Sequence, residues 1–410
     1  MSLSLESIDL VDADRFAARG YPHEEWAWLR RNAPLHRFEP RGIEPFWAVT
    51  RHADLIALSK QPKLFVNEPR VALADPERER TEPTQRNLLF MDPPEHAAYR
   101  RLVSSHFTPR SLGRLHRDVE RISRELLDSV RTDGELVEID FVERVAAILP
   151  LAVIARMLGL PRDDWEQLFE WTNESIGASD PEYRREGETS LETSERARIA
   201  MFEYFVALVE ERRREPRDDI ASVLARADLD GEPLPTFELL SYYLLLIVAG
   251  NETTRNATSG GLAALMDRPG ELDKLRRDPS LIPSAVEEIL RWTTPVIQFC
   301  RTATRDVELR EQKIRAGESF ALYYPSANRD EEVFDAPFEF RVDRRPNPHL
   351  AFGIGEHFCL GANLARMELR VIFRDLVERL EYVEPAGPIE RLRSHFIGGV
   401  KHLPIRYRLR

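Results

Sequence analysis

The sequence predicts a mainly helical fold with a small β part, and three observations support that prediction. Apolar residues recur at spacings of three and four in several long stretches, as on the buried face of a helix. Two shorter stretches show strand-like alternation or turn signals. No Gly/Ser-rich linker and no internal repeat divides the 410 residues. We therefore expect one domain spanning residues 1–410.

The helical pattern is clearest in four stretches, which are 22–32, 109–131, 141–159 and 194–215. The stretch 46–60 begins as a strand and turns helical, and 304–325 alternates and carries turn signals, as a small sheet would. Two polar passages, Asn67 to Asn87 and Ile176 to Ser194, are longer than ordinary connections. We expect them to be surface loops and candidate gates.

Composition limits the class of function. The 58 basic and 70 acidic residues give a net charge of -12, which argues against a nucleic-acid partner or binding to an anionic membrane. The N-terminus lacks the basic start and apolar run of a signal peptide or anchor. The apolar run from Tyr242 to Gly250 is about half of what a bilayer-spanning helix needs. Two cysteines allow at most one disulfide, so a reducing cytoplasm fits best.

One of these cysteines, Cys359, lies in the stretch FGIGEHFCLG at 352–361, where a loop enters an amphipathic helix. Unpaired backbone amides and the helix dipole at such a position favour an anionic sulfur. Glycines at 353, 355 and 361 let the backbone turn sharply and approach a flat partner closely. A lone cysteine is more often a buried structural residue, but this setting favours a functional thiolate.

FGIGEHFCLG resembles the haem-binding loop of cytochromes P450. The resemblance implies the P450 fold, with a long central helix over haem b, and makes Cys359 the axial thiolate that pushes electron density onto the iron. It also places Gly353 among the residues of the cofactor loop. Cys300, in the strand-like VIQFCRTAT, has no such setting and reads as a small buried apolar residue.

A second match is AGNETT, within the apolar stretch 242–265. A satisfied capping or inter-helix network is the alternative for an acid and hydroxyls in an apolar helix. The stretch is similar to the central helix of P450s, in which a small residue and a glycine, here Ala249 and Gly250, precede an acid-alcohol pair beside the haem. The resemblance implies that Glu252 relays protons and that Thr253 holds a hydrogen-bonded water.

Haem carries two propionates that require cations or hydrogen-bond donors. His96 and Arg100 are four residues apart and share a face if helical, as in the family's propionate-binding helix. Arg301 and His357 match the remaining propionate positions of the family. Taken singly, each of these side chains would read as an ordinary surface residue.

A structural set of charges is also implied by the resemblance. Glu288 and Arg291 are three residues apart, which alone would indicate only a surface ion pair of little energetic value. In this order they resemble the family's Glu-x-x-Arg pair, which locks the region beneath the haem. The third member would be Arg344.

The resemblance implies a monooxygenase that inserts one oxygen atom from O2 into a C–H bond of a hydrophobic steroid side chain, branched lipid or terpenoid. Electrons would come from a separate ferredoxin and ferredoxin reductase. By analogy the ferredoxin would dock near arginines on the cysteine side of the haem, which are Arg100, Arg101, Arg110, Arg344, Arg345 and Arg366. Two alternatives stay open, a peroxide-driven enzyme of the same fold and a non-catalytic haem sensor or carrier.

The substrate pocket needs apolar walls. Candidate wall residues flank the motifs above, and each also reads as ordinary core. They are Leu89, Phe90, Leu245, Val248, Val296, Ile297, Phe396 and Ile397.

Overall fold

Helices dominate the computed structural model, which describes residues 3–74 and 86–410. The predicted fold class, mainly α with a small β part, is confirmed. The helices are α1 (Ala13–Arg19), α2 (His23–Asn32), α3 (His52–Ser59), α4 (Glu95–Ser104), α5 (Pro109–Ser129), α6 (Ile148–Leu158), α7 (Trp165–Gly177), α8 (Ser190–Arg214), α9 (Ile220–Ala225), α10 (Thr236–Met266), α11 (Pro269–Arg277), α12 (Ile282–Thr293), α13 (Tyr324–Ala327) and α14 (Ala362–Arg379).

The 31-residue helix α10 is the central element, and it packs against α6, α8, α12 and α14. Two glycines permit part of this packing. A Cβ at Gly261 would collide with Phe373 of α14 and Ile289 of α12, and a Cβ at Gly260 would collide with Thr293. Small residues at these positions therefore let neighbouring helices approach the α10 backbone closely.

The strands lie beside this helical body. They are β1 (Leu35–Phe38), β2 (Phe46–Val49), β3 (Phe65–Val66), β4 (Val137–Asp140), β5 (Asp228–Leu229), β6 (Glu232–Pro233), β7 (Gln298–Ala303), β8 (Val307–Leu309), β9 (Gln312–Ile314), β10 (Ser319–Tyr323), β11 (Leu380–Pro385), β12 (Glu390–Arg391), β13 (Val400–His402) and β14 (Pro404–Leu409). One sheet has the order β1-β2-β10-β7-β3, and another has the order β11-β14-β4. In both sheets, therefore, strands that are distant in sequence pair with each other.

The main differences from the predicted elements concern boundaries. The stretch 141–159 divides into a π-helical turn, Val142–Ala146, followed by α6. The predicted loop 176–194 is shorter, because α8 begins at Ser190 with a capping box in which Thr189 and Glu192 satisfy each other's backbone amides. In the other predicted loop, residues 75–85 lie outside the described residues. None of the described helices is long and apolar enough to cross a bilayer.

Candidate active site

One face of α10 keeps accessible surface. Leu245, Val248, Ala249 and Thr253 retain accessible surface, whereas most of their neighbours on the helix are buried. Their spacing places them on one side of the helix. Other helices pack against α10, and we call the space beside this accessible strip the cavity. The Thr253 hydroxyl donates to the Ala249 carbonyl one turn earlier at 3.1 Å.

Gly250, which was expected to contact the cofactor, has a packing role in the structure. A Cβ at this position would collide with Ile154 of α6. The glycine is therefore explained by close contact between α6 and α10, and no contact with a cofactor is needed to account for it.

The loop that contains Cys359 precedes α14. Gly353 and Gly355 adopt left-handed backbone conformations, with φ of 66° and 82°, and the Cys359 amide donates to the Phe352 carbonyl at 2.9 Å. A Cβ at Gly355 would collide with the Ser59 carbonyl. These constraints explain why glycines occupy both positions.

The Cys359 side chain is exposed, so a ligand can reach its sulfur. Burial raises the pKa of its thiol, while the backbone amides of Gly361 and Ala362 and the charge of Arg100 oppose that rise. Phe352 and Leu360 of this loop border the same hydrophobic cluster as Leu245 and Val248 of α10. These apolar side chains all pack against the main hydrophobic core of the protein.

Four basic side chains converge near this loop. The rings of His96 and His357 lie 4.1 Å apart, and Arg100 donates to the Phe358 carbonyl at 2.7 Å. Burial, together with the positive charges of Arg301, His96 and Arg100, lowers the pKa of His357 to about 2. The mutual influence of these charges shows that the four predicted propionate-binding residues lie together.

This cluster fits an anionic ligand. Nε2 of His357 and Nδ1 of His96 are buried without a hydrogen-bond partner among the described residues. The nearest acid, Glu356, is 3.6 Å from His96 Nδ1, beyond ordinary hydrogen-bond range. Buried donors and cations without a matching acid suit two carboxylates. With a thiol beside an apolar space, the residues present fit haem and its propionates.

Glu252 is buried, whereas the neighbouring Thr253 is partly accessible. Its carboxylate is paired with Arg255, whose guanidinium also donates to Asn173 of α7 at 2.9 Å. Both members of the pair are almost fully buried. The acid and the alcohol are thus adjacent in sequence but face different surroundings in the structure. The sequence analysis missed Arg255, although its i, i+3 spacing from Glu252 is visible in the sequence.

The predicted structural charges meet as a buried triad. Arg291 donates to both carboxylate oxygens of Glu288 at 2.7 and 2.8 Å, and Arg344 Nε lies 3.0 and 3.1 Å from the same oxygens. Glu288 and Arg291 have no accessible surface. Arg344 is 4% exposed, so its inclusion in a docking surface was wrong.

Arg366 is also engaged within the protein. It forms two hydrogen bonds of 2.8 Å with Glu287 and stacks on the Phe352 ring. It is therefore a poor candidate for contact with a partner protein, because such contact would have to replace the bond to Glu287.

The proposed pocket walls divide into accessible and buried residues. Leu89, Phe90, Val296 and Phe396 keep partial accessibility, and Val296 bridges to the mostly buried Ile397. Ile297 is the exception, since it is fully buried in a separate core cluster with Trp26 and Cys300, which excludes it from a cavity wall. Phe299, which the sequence analysis missed, is partly accessible and packs edge-on against Phe396.

Comparisons with known proteins agree with this geometry. The sequence model of the family described as Cytochrome P450 matches residues 47–400. A steroid C26-monooxygenase of Mycolicibacterium smegmatis is 38% identical, with 98% of this chain and 93% of the relative covered. A methyl-branched lipid omega-hydroxylase of Mycobacterium tuberculosis is 39% identical, with coverage of 93% and 90%. A cytochrome P450 of Mycobacterium marinum in complex with pseudoionone has a TM-score of 0.90 and 35% identity, with coverage of 98% and 99%.

Proposed function

The chain belongs to the cytochrome P450 family and is a monooxygenase with haem b as its cofactor, and from this premise we propose that it hydroxylates a steroid side chain, branched lipid or terpenoid. The observation that carries the proposal is the accessible, mainly apolar face of α10, on which Leu245 lies about two turns and Val248 about one turn before Thr253. The names of the steroid- and lipid-hydroxylating relatives support the substrate class.

We propose that Cys359 is the thiolate ligand of the haem iron and that the four basic residues bind the propionates. The fit of the cluster formed by His96, Arg100, Arg301 and His357 to two carboxylates supports this assignment. Haem, when bound, supplies the iron at which O2 is reduced and an oxygen atom is inserted into a C–H bond. Positive charge from Arg100 and the amides before α14 favour the ionised sulfur.

In the proposed mechanism, Thr253 and Glu252 take part in proton transfer. The Thr253 hydroxyl borders the cavity and can hold a water there. Glu252 delivers a proton only after it separates from Arg255, because that ion pair engages its carboxylate and Arg255 is itself bonded to Asn173 of α7.

The iron ligand is tested by the carbon monoxide difference spectrum of the reduced protein. We expect the strongly red-shifted Soret band of thiolate-ligated haem in the unaltered protein and in Cys300→Ala, and its loss in Cys359→Ala. A red-shifted band that survives Cys359→Ala would refute the ligand assignment.

The substrate class is tested by titrating the oxidised protein with a panel of sterols, methyl-branched fatty acids and terpenoids. We expect at least one class to displace iron-bound water, as seen in the haem absorption spectrum. If no compound in the panel does so in haem-loaded protein, the proposed substrate class is wrong.

Turnover of the binding compound with a ferredoxin system, but not with peroxide alone, would separate a monooxygenase from a peroxide-driven enzyme and from a haem sensor.

We also propose a separate ferredoxin as electron donor, docking on the cysteine side. The exposure of Arg101, Arg110 and Arg345 supports this proposal, whereas Arg344 and Arg366 are engaged internally. Changing these three exposed arginines to Gln should slow reduction by an acidic ferredoxin roughly tenfold at low salt and flatten its salt dependence. The exposed Arg131→Gln serves as the control. Unchanged reduction rates in the triple variant would contradict this docking surface.

Two further proposals concern the whole chain. We propose that residues 1–410 form one domain, supported by pairing between β4 and β14 and between β2 and β10, which are distant in sequence. We propose a cytoplasmic location, supported by the presence of only two cysteines.

A further inference from the structure

The loop that joins α7 and α8, residues 178–189, is bound to the C-terminal strands by opposite charges. The loop contributes Asp180 and Glu182, and the strand region contributes Arg393, Lys401 and His402. These contacts span more than 200 positions of sequence. They form a defined set of bonds between a surface loop and a sheet, which we call the loop latch.

One part of the latch is buried. Lys401 Nζ lies 3.1 Å from the Asp180 carboxylate and 2.7 Å from that of Glu182. The Asp180 side chain is 4% exposed, and it also accepts the Arg393 backbone amide at 3.1 Å. Neither lysine nor arginine changes its charge near neutral pH. This part of the latch is therefore a permanent anchor.

The other part contains a group that titrates near neutral pH. His402 lies between two acids, with Nδ1 bonded to Asp140 of β4 and Nε2 2.9 Å from Glu182 of the loop. Ionised carboxylates only accept hydrogen bonds, so both ring nitrogens must carry protons. The geometry thus describes an imidazolium that bridges β4 to the loop.

The surroundings of this imidazolium are mainly acidic. Besides Asp140 and Glu182, the carboxylate of Glu390 on β12 lies in the same group, and Lys401 is the neighbouring cation. Burial lowers the pKa of His402, and its bonds to Asp140 and Glu182 raise it by more, so the net shift is upward. Both nitrogens are engaged and Lys401 already contacts Glu182, so this group is better suited to a proton than to a metal ion.

We propose that His402 is a proton-controlled latch that holds the Glu182 part of the 178–189 loop closed and releases that part when the imidazolium loses its proton, while Asp180 stays anchored by Lys401. In the neutral form one ring nitrogen becomes an acceptor facing a carboxylate, which removes one of the two bonds and leaves the acids to repel each other. The closed loop is favoured below the His402 pKa and weakened as the pH rises through it.

Movement of this loop affects α10, because α7 lies between the two and is bonded to α10. Thr172 of α7 bonds to Asn251 at 3.3 Å, and Asn173 bonds to Arg255 at 2.9 Å, so the last turns of α7 lie directly on α10. A change in loop position therefore alters the cover over the part of α10 that precedes and includes Thr253. The consequence for substrate entry depends on the proposed function, whereas the movement of the loop does not.

Hydrogen-deuterium exchange of the haem-loaded protein between pH 6 and 9 tests the latch. The amides of Glu182 and Tyr183 are protected by bonds within the loop. After correction for intrinsic rates, we expect their exchange to rise about fivefold across this range, as for the loss of one partly exposed ion pair. In His402→Gln exchange should be fast at every pH. His116→Gln, which changes an exposed histidine beside Glu120, should behave as the unaltered protein.

Exchange that is independent of pH in the unaltered protein, or that keeps its pH dependence in His402→Gln, would overturn the proposal. If His402→Gln fails to fold, Glu182→Gln gives the same test from the loop side and should also abolish the pH dependence.

The addition of a chelator should have no effect, and slower exchange on adding zinc ions would instead identify a metal site. A substrate that binds at the haem while exchange stays pH-independent would refute the latch alone. Exchange that follows the latch while no substrate in the panel binds would refute the substrate class alone.

Discussion

Thr253 is a position at which one hydroxyl can be removed with little structural consequence. Among residues 3–74 and 86–410, its hydroxyl bonds only to the Ala249 carbonyl of its own helix, and the side chain is partly accessible. In Thr253→Ala we expect product formed per electron pair to fall severalfold and peroxide release to rise, because the water that carries protons is no longer held. Thermal stability should change by less than about 1 kcal/mol.

Thr258→Ala is the matched control for this prediction. Thr258 makes the same type of bond, to the Thr254 carbonyl at 2.9 Å, but it is buried. The ratio of product to peroxide should be unchanged in this variant. Equal loss of coupling in both variants would show that the helix bond, and not the hydroxyl at the cavity, matters.

Glu368 on α14 is a buried acid that the mechanism does not use. It is 1% exposed, and its Oε2 has no hydrogen-bond partner within the described chain. Burial raises its pKa well above the usual range, so the folded state holds a proton that the unfolded state releases at neutral pH. The contribution of Glu368 to stability is therefore full below the unfolded pKa and is lost as the pH rises through the folded value.

We expect Glu368→Gln to stabilise the protein at pH 8, on the order of 1 kcal/mol, and to have little effect at pH 4. The measurement is denaturant unfolding at both pH values, followed by circular dichroism. Glu378→Gln changes an exposed acid on the same helix and should be neutral at both. A variant that is less stable at pH 8 would mean that Glu368 has a favourable charged role.

At the scale of residues, a functional role was predictable where the residue lies within a short sequence pattern that is typical of that role. FGIGEHFCLG identifies its cysteine because glycine positions and the loop-to-helix junction are encoded within ten residues. The orientation of Glu252 was not predictable, because it depends on Asn173, which is 79 residues away in sequence. The prediction of Ile297 as a pocket wall was wrong, because the sequence pattern around an apolar residue beside a strand is the same whether its side chain faces a cavity or the core.

At the scale of elements, the buried charges around Glu288 join α12 to the segment before the Cys359 loop. Arg291 also donates to the carbonyls of Asn328 and Pro337, and Arg344 donates to that of Asp335 at 2.6 Å. A single carboxylate thus balances two guanidiniums that organise several turns of irregular backbone. Removal of its charge would leave those cations buried without compensation.

We predict that Glu288→Gln lowers the free energy of unfolding by about 3–5 kcal/mol and reduces haem retention, as measured by denaturant unfolding and by haem absorbance after gel filtration. Glu125→Gln removes one member of an exposed pair with Arg121 and should cost less than about 1 kcal/mol. Similar effects of the two substitutions would contradict a structural role for the buried triad.

Element boundaries followed local chemistry more closely than periodicity. The Thr189 and Glu192 capping box sets the start of α8. Both residues are visible in the sequence, but they lie inside the polar passage that was predicted to be a loop. The π-helical turn Val142–Ala146 carries the same apolar spacing as the helix after it. Periodicity predicted both segments as one helix, because it reports a buried face and not the hydrogen-bond pattern.

At the scale of the whole molecule, stability in acid depends on carboxylates that hold separate elements together. Glu287 of α12 bonds to Arg366 of α14 and lies 3.0 Å from Nε2 of His349 before the Cys359 loop. Burial raises the pKa of Glu287, but the bonds to His349 and Arg366 lower it by more, to about 2. The ionised acid therefore links three parts of the chain that separate on unfolding.

Because the folded pKa of Glu287 lies below its unfolded value, its stabilising contribution is complete above the unfolded pKa of about 4.5 and is lost as the pH falls towards 2. In Glu287→Gln we expect lower stability at pH 6 and a shallower fall in the free energy of unfolding between pH 5 and 3, by roughly one proton equivalent. Denaturant unfolding across this range measures the slope, with Glu378→Gln as the control. An unchanged slope in Glu287→Gln would show that other carboxylates determine acid unfolding, since the slope counts the protons taken up when the whole chain unfolds.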